Sequence, residues 1–226
     1  MLSLLNSRLP SDIVNSFFLQ NEIHLMRLED CIAEYDYSIL ETHPEFDVSD
    51  VLQCSAKDGN LTRVKWLAME KGADVNADQG YALVVASEEG HDHVVKWLLE
   101  NGCDPRPQSS WALRIACLRG HIECVKLLMK FSGIYTIACT HKTAPLSIAA
   151  VNGHDDIVRF IIESGYRINL SGAFFNAGMY GYLDICKYIY LSSIDTPTAH
   201  HCVKRQILEL ARRCVHERVL EWIETL

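Results

Sequence analysis

A glycine that returns on a nearly fixed period constrains this chain more than any other feature. Gly59, Gly90, Gly120, Gly153 and Gly181 stand 31, 30, 33 and 28 residues apart. Each precedes an apolar run with helical spacing. A period near 30 residues marks stacked supersecondary units, not one closed globule, because each unit can seal its apolar face only against its neighbours.

The units share a grammar. After the glycine come Asn60-Leu61-Thr62-Arg63-Val64-Lys65-Trp66-Leu67, then His91-Asp92-His93-Val94-Val95-Lys96-Trp97-Leu98-Leu99, then His121-Ile122-Glu123-Cys124-Val125-Lys126-Leu127-Leu128. His154 to Ile162 and Tyr182 to Ile189 follow the same scheme. Apolar pairs split by one cation cover more than half a helix circumference, so this helix packs on both sides and its Lys or Arg marks the solvent edge. Asp92, Glu123, Asp155 and Asp184 suit the positive end of the helix dipole. The same pattern predicts Trp66, Trp97 and Tyr188 at a core register.

Before each glycine a second, shorter helix is expected, as in Leu83-Val84-Val85-Ala86-Ser87-Glu88-Glu89 and Leu113-Arg114-Ile115-Ala116-Cys117-Leu118-Arg119. Leu and Ala three apart face the next unit, and the glycine ends the helix in a left-handed cap. Gly72-Ala73-Asp74-Val75-Asn76 and Gly102-Cys103-Asp104-Pro105 read as turns.

These motifs resemble the ankyrin repeat. The resemblance rests on Gly-His-x-x-x-Val-x-x-Leu-Leu, on Gly72-Ala73-Asp74-Val75-Asn76, and on Thr143-Ala144-Pro145-Leu146-Ser147-Ile148-Ala149-Ala150, which has one alanine inserted into the family's opening. It covers roughly residues 48–226 and is strongest over 51–169. Units two and three open instead with Tyr81-Ala82-Leu83 and Trp111-Ala112-Leu113. Unit two is also shortened before its first helix. Stubby loops are therefore expected in place of the family's β-hairpin. Shortened repeats of this style are similar to arrays abundant in giant DNA viruses.

The resemblance implies an all-α ankyrin-repeat solenoid of helix-turn-helix units. The expected division is an N-terminal helical cap over 1–47, five repeats over 48–76, 77–106, 107–138, 139–169 and 170–197, and a C-terminal capping repeat over 198–226. Leu9-Pro10-Ser11-Asp12-Ile13-Val14 also looks like the opening of an F-box.

Composition narrows the function. The net charge is −8 and the apolar fraction 49%, with a pI near 5.7. An acidic chain lacks the basic stripe of a general nucleic-acid binder, and a chain this apolar is not disordered. No apolar run approaches the ~20 residues of a membrane span. Nine cysteines without a Cys-x-x-Cys pair do not read as a disulfide framework. They fit a reduced, intracellular protein, cytoplasmic or nuclear, or in the host cytoplasm if viral. Cys54, Cys117, Cys124 and Cys186 fall at core positions.

No catalytic motif is present, no cofactor is implied, and no metal site is expected. His91, His121 and His154 recur one unit apart, which makes a row and not a cage. The resemblance implies that each ties adjacent turns to backbone. His200, His201, Cys202, Cys214 and His216 form the one His/Cys cluster, and its spacing matches no common zinc signature.

The resemblance implies a concave face that binds another protein or peptide. Its loop positions are Asp78, Gln79, Tyr81, Arg106, Gln108, Trp111, His141 and Lys142. Its helix positions are Glu88, Glu89, Leu118, Arg119, Asn152, Met179 and Tyr180. Asp78, Glu88 and Glu89 read as an acidic stretch beside a basic one carrying Arg106 and Arg119. Three functions follow: a monomeric, non-enzymatic binding module, a ubiquitin-ligase substrate adaptor using the F-box-like segment, and an enzyme using the C-terminal cluster.

Overall fold

The computed structural model describes residues 47–131, 144–165, 170–194 and 217–225. Among the described residues every element is an α-helix: α1 (Val48–Lys57), α2 (Leu61–Glu70), α3 (Ala77–Glu89), α4 (Asp92–Glu100), α5 (Pro107–Arg119), α6 (Ile122–Met129), α7 (Pro145–Asn152), α8 (Asp155–Glu163), α9 (Leu170–Met179), α10 (Leu183–Ile194) and α11 (Glu217–Glu224). Odd- and even-numbered helices up to α10 pair within each unit. Between units, α1, α3, α5, α7 and α9 pack as a first row, and α2, α4, α6, α8 and α10 as a second. The architecture is an all-α repeat solenoid.

The core follows the sequence pattern closely. In the first row Leu83, Leu113 and Leu146, with Ala86, Ala116 and Ala149 three residues on, are buried. Alanine there lets neighbouring units approach. In the second row Val94, Val95 and Leu98 are fully buried, as are their counterparts Cys124, Val125 and Leu128, and Ile157, Val158 and Ile161. Each large side chain contributes roughly 1.5–3 kcal/mol of burial. The Ser55 and Ser87 hydroxyls, buried in the first row, donate to the carbonyls of Val51 and Leu83 at 2.8 and 2.7 Å, so neither is left unsatisfied.

Gly90 shows why the turn residue recurs. It caps α3 with φ 79°, a left-handed conformation that costs least in glycine. A Cβ there would also lie 2.5 Å from Nδ1 of His121 in the next unit. The chain turns and the neighbouring unit docks on the same spot.

Two expectations are corrected. The first helix is not the shorter one in units one and two, where α1 and α2 each have 10 residues and α3 has 13 against 9 for α4. By contrast α7 and α9, with 8 and 10 residues, are shorter than α8 and α10, with 9 and 12. The added length of α3 is a left-handed turn before the regular helix, with φ of 49°, 62° and 77° at Asp78, Gln79 and Gly80. Trp66 and Trp97 pack against the core but stay partly exposed, and Tyr188 is likewise half-buried. At about 100° per residue, Trp97 lies on the flank of the arc that buries Val94, Val95, Leu98 and Leu99. Lys71 Nζ sits 5.0 Å from the Trp66 ring centre.

The first two connections between units are short. Gly80 N–H donates to the Asn76 carbonyl at 3.1 Å, and one unit later Ser110, φ 61°, repeats the turn with its N–H on the Arg106 carbonyl at 3.1 Å. Asn76 stitches the second connection to the first: its Nδ2 donates to the Gly102 carbonyl at 3.1 Å, and its Oδ1 accepts from the Asp104 N–H at 2.8 Å. At the far end α11 packs on α10, where the rings of Tyr190 and Trp222 meet edge to face at 5.7 Å.

Candidate protein-binding face

The first-row helices bring the sequence-selected residues to two levels, the connections and the turn ends. At the connections Asp78 and Gln79 are exposed. Asp78 accepts a hydrogen bond from Nε2 of Gln53 at 2.7 Å, so a buried amide of the preceding unit anchors this carboxylate. Tyr81 and Trp111 begin the regular parts of α3 and α5, and their rings lie 6.5 Å apart across the unit boundary. Gln108 lies in the first turn of α5.

Arg106 forms a fork on Asp104, with Nε–Oδ1 2.8 Å and Nη2–Oδ2 2.9 Å. That hydrogen-bonded pair holds the Asp104 carboxyl below the usual carboxylate range and raises the Arg106 guanidinium.

At the turn ends Glu88 of unit two accepts from Arg119 of unit three. Together with the Arg106–Asp104 fork, this removes the separate basic stretch that the sequence presents, while Asp78 and Glu89 of the acidic stretch meet no cation among the described residues. Arg106 and Arg119 are each neutralised by the chain itself. Glu89 is exposed and Leu118 half-buried. The Asn152 amide turns back onto its own helix, donating to the Ile148 carbonyl at 2.8 Å. Met179 and Tyr180, adjacent in sequence, are exposed at 41% and 57%.

The recurring histidines are structural. A helix leaves its last carbonyls without partners inside the helix. His91 Nε2 reaches the Lys57 carbonyl at 2.8 Å, His121 the Glu88 carbonyl at 2.9 Å, and His154 the Leu118 carbonyl at 3.0 Å. Each bond carries the Nε2–H tautomer onto the final turn of the preceding unit. In unit five Tyr182 takes this position and lays its ring over Gly153.

Sequence reasoning overlooked Arg114. It lies six residues before its turn glycine, where the other units carry Gln53, Val84, Ser147 and Phe175. A column-by-column comparison of the units would have exposed it as the one ionic residue of that register.

His141 and Lys142 lie outside the described residues, as do Leu9 to Val14 and the cluster of His200, His201, Cys202, Cys214 and His216. Among the described residues no group of three His, Cys, Asp or Glu is placed to hold a metal ion. No described helix is long and apolar enough to cross a membrane.

A family model described as ankyrin repeats, three copies, matches residues 28–109 and again 108–171. The first match begins within the 1–47 segment. No curated protein matches the chain.

Proposed function

The chain belongs to the ankyrin-repeat family, and from that premise we propose that it is a non-enzymatic protein-binding module whose first-row face grips a protein or peptide. Ankyrin repeats are in general protein–protein interaction modules and typically lack catalysis. The observation that supports this face is its side-chain mix. Tyr81 and Trp111 meet across a unit boundary at one level. Leu118, Met179 and Tyr180 leave apolar surface open at the other. Partly exposed aromatics with Met and Arg nearby are the residue types that carry binding energy at interfaces.

Affinity purification with quantitative mass spectrometry tests the reading. The wild-type chain is compared with Trp111→Ala, Tyr180→Ala and Glu89→Lys variants, each first checked for an unchanged helical spectrum. A partner set recovered by wild type and depleted at least tenfold by these variants supports the face. Equal recovery of the same partners by all of them rejects it.

A further inference from the structure

Among the described residues Arg114 carries a buried donor without an acceptor. It lies on α5, three residues after Trp111 and four before Leu118, so the three share one helix face. Its Nε is buried and has no hydrogen-bond partner. Burial also lowers its pKa, the direction that loss of water produces for an uncompensated cation. A buried donor with no acceptor costs stability, and native structures retain few of them.

Several acids in the neighbouring units are already engaged. Glu88 takes Arg119, Asp104 takes Arg106, and Glu123 takes Lys126 at 2.7 Å. Asp78 takes the Gln53 amide, although Gln53 occupies the register equivalent to Arg114 two units earlier in the array. Those groups are answered from within the array, whereas the buried Nε of Arg114 is not. By helical register Arg114 lies on the same side of α5 as Trp111 and Leu118, the face proposed above for binding.

We propose that Arg114 is the anion anchor of this face, and that the protein's partner is a peptide segment carrying an Asp or Glu beside an apolar residue. The carboxylate accepts from the guanidinium fork, and the apolar neighbour covers Trp111 and Leu118. A planar fork matches a carboxylate through two parallel bonds, which a lysine cannot reproduce. One isolated cation on a chain of net charge −8 does not make a phosphate-backbone track, which favours a peptide over a nucleic acid. The inference rests on the binding-face reading and adds the chemistry of the partner.

Random 12-residue peptides displayed on phage, selected on the full chain, provide the probe. Selected peptides are then synthesised with a fluorophore and titrated by anisotropy against wild type, Arg114→Gln, Arg114→Lys and Trp111→Ala. The expected result is enrichment of Asp or Glu, with affinity falling at least tenfold in Arg114→Gln and partly recovered in Arg114→Lys. Replacing the peptide's acid by its amide causes a similar loss, and the two changes together lose little more than either alone. Peptides that are lost on Trp111→Ala but lack an acid and tolerate Arg114→Gln overturn the anchor and leave the binding face standing. A selection that yields no binder, or only peptides indifferent to both Trp111→Ala and Arg114→Gln, overturns both.

Discussion

His121 and Glu88 join units two and three through the backbone: the imidazole Nε2–H donates to the Glu88 carbonyl at 2.9 Å. The carboxylate of the same glutamate accepts from Arg119. One residue at the end of α3 thus holds its neighbour twice, once through main chain and once through side chain. The two ties differ in value. The carbonyl belongs to a helix terminus and has no other partner of its own. The ion pair is partly exposed, with 44% of the Arg119 side chain open, and solvent screens it.

Replacing His121 with alanine should cost about 1–3 kcal/mol, because it orphans that carbonyl and uncovers Gly90. Arg119→Ala should cost less than ~1 kcal/mol. Urea denaturation of both variants gives the comparison, and a larger loss for Arg119→Ala would reverse the assignment.

Gly90→Ala should destabilise by roughly 1–3 kcal/mol. The alanine must hold φ near 79°, and its methyl must displace the His121 ring from 2.5 Å. Coupling the change with His121→Ala removes the clash but not the strain. The double variant should therefore lose less than the two single losses added together, and full additivity would show that the ring and the glycine do not interact.

Leu98→Ala should cost on the order of 2–5 kcal/mol, since Leu98 is fully buried in the second row and its removal leaves a cavity. Hydrogen exchange should show the adjacent helices α2 and α6 loosening with α4, because each unit leans on its neighbours. A loss confined to α4 amides, or below ~0.5 kcal/mol, would contradict this packing.

Stability should fall in alkali through two thiols. Burial first, and nearby carboxylates second, push Cys103 and Cys124 up to about 12 from 9.0. The unfolded chain sheds these protons near pH 9.0, whereas the folded chain keeps them until about 12. Above pH 9 the unfolded state therefore binds fewer protons, and its stability relative to the native state rises. The thiol contribution is fully present below that point and is lost as pH climbs toward 12. Urea midpoints measured from pH 7 to 10.5 should drop more steeply for wild type than for a Cys103→Ala, Cys124→Ala double variant. Parallel curves would show that the thiols do not couple to folding.

Much of the fold was legible because helical packing repeats locally. The Gly-His step could be read one unit at a time, and the structure joins His91, His121 and His154 to the preceding turns. Leu83 and Ala86, or Val94 and Leu98, reveal their burial through 3.6-residue spacing alone. The Trp97 flank was misjudged because a hydrophobic residue beside the buried arc has the same periodic signature as one inside it.

The candidate face was less legible. Arg106 and Arg119 look like free cations in the sequence, yet one folds onto Asp104 two residues away and the other onto Glu88, 31 positions earlier. The Arg119–Glu88 pairing depends on where α3 and α5 come to lie against each other, which no local pattern records. Arg114 is the converse case: comparing the units column by column marks it as the one ionic residue of its register, but only the structure shows its Nε buried without a hydrogen-bond partner.

By itself the sequence determined that helix pairs repeat, which residues seal them, and where each turn falls, because these depend on spacing within a few residues. The tertiary structure alone decided that Arg119 meets Glu88 across a unit boundary and that the Nε of Arg114 is buried without an acceptor. Electrostatic partnership falls off over a few ångströms, and those distances exist only after the units have stacked.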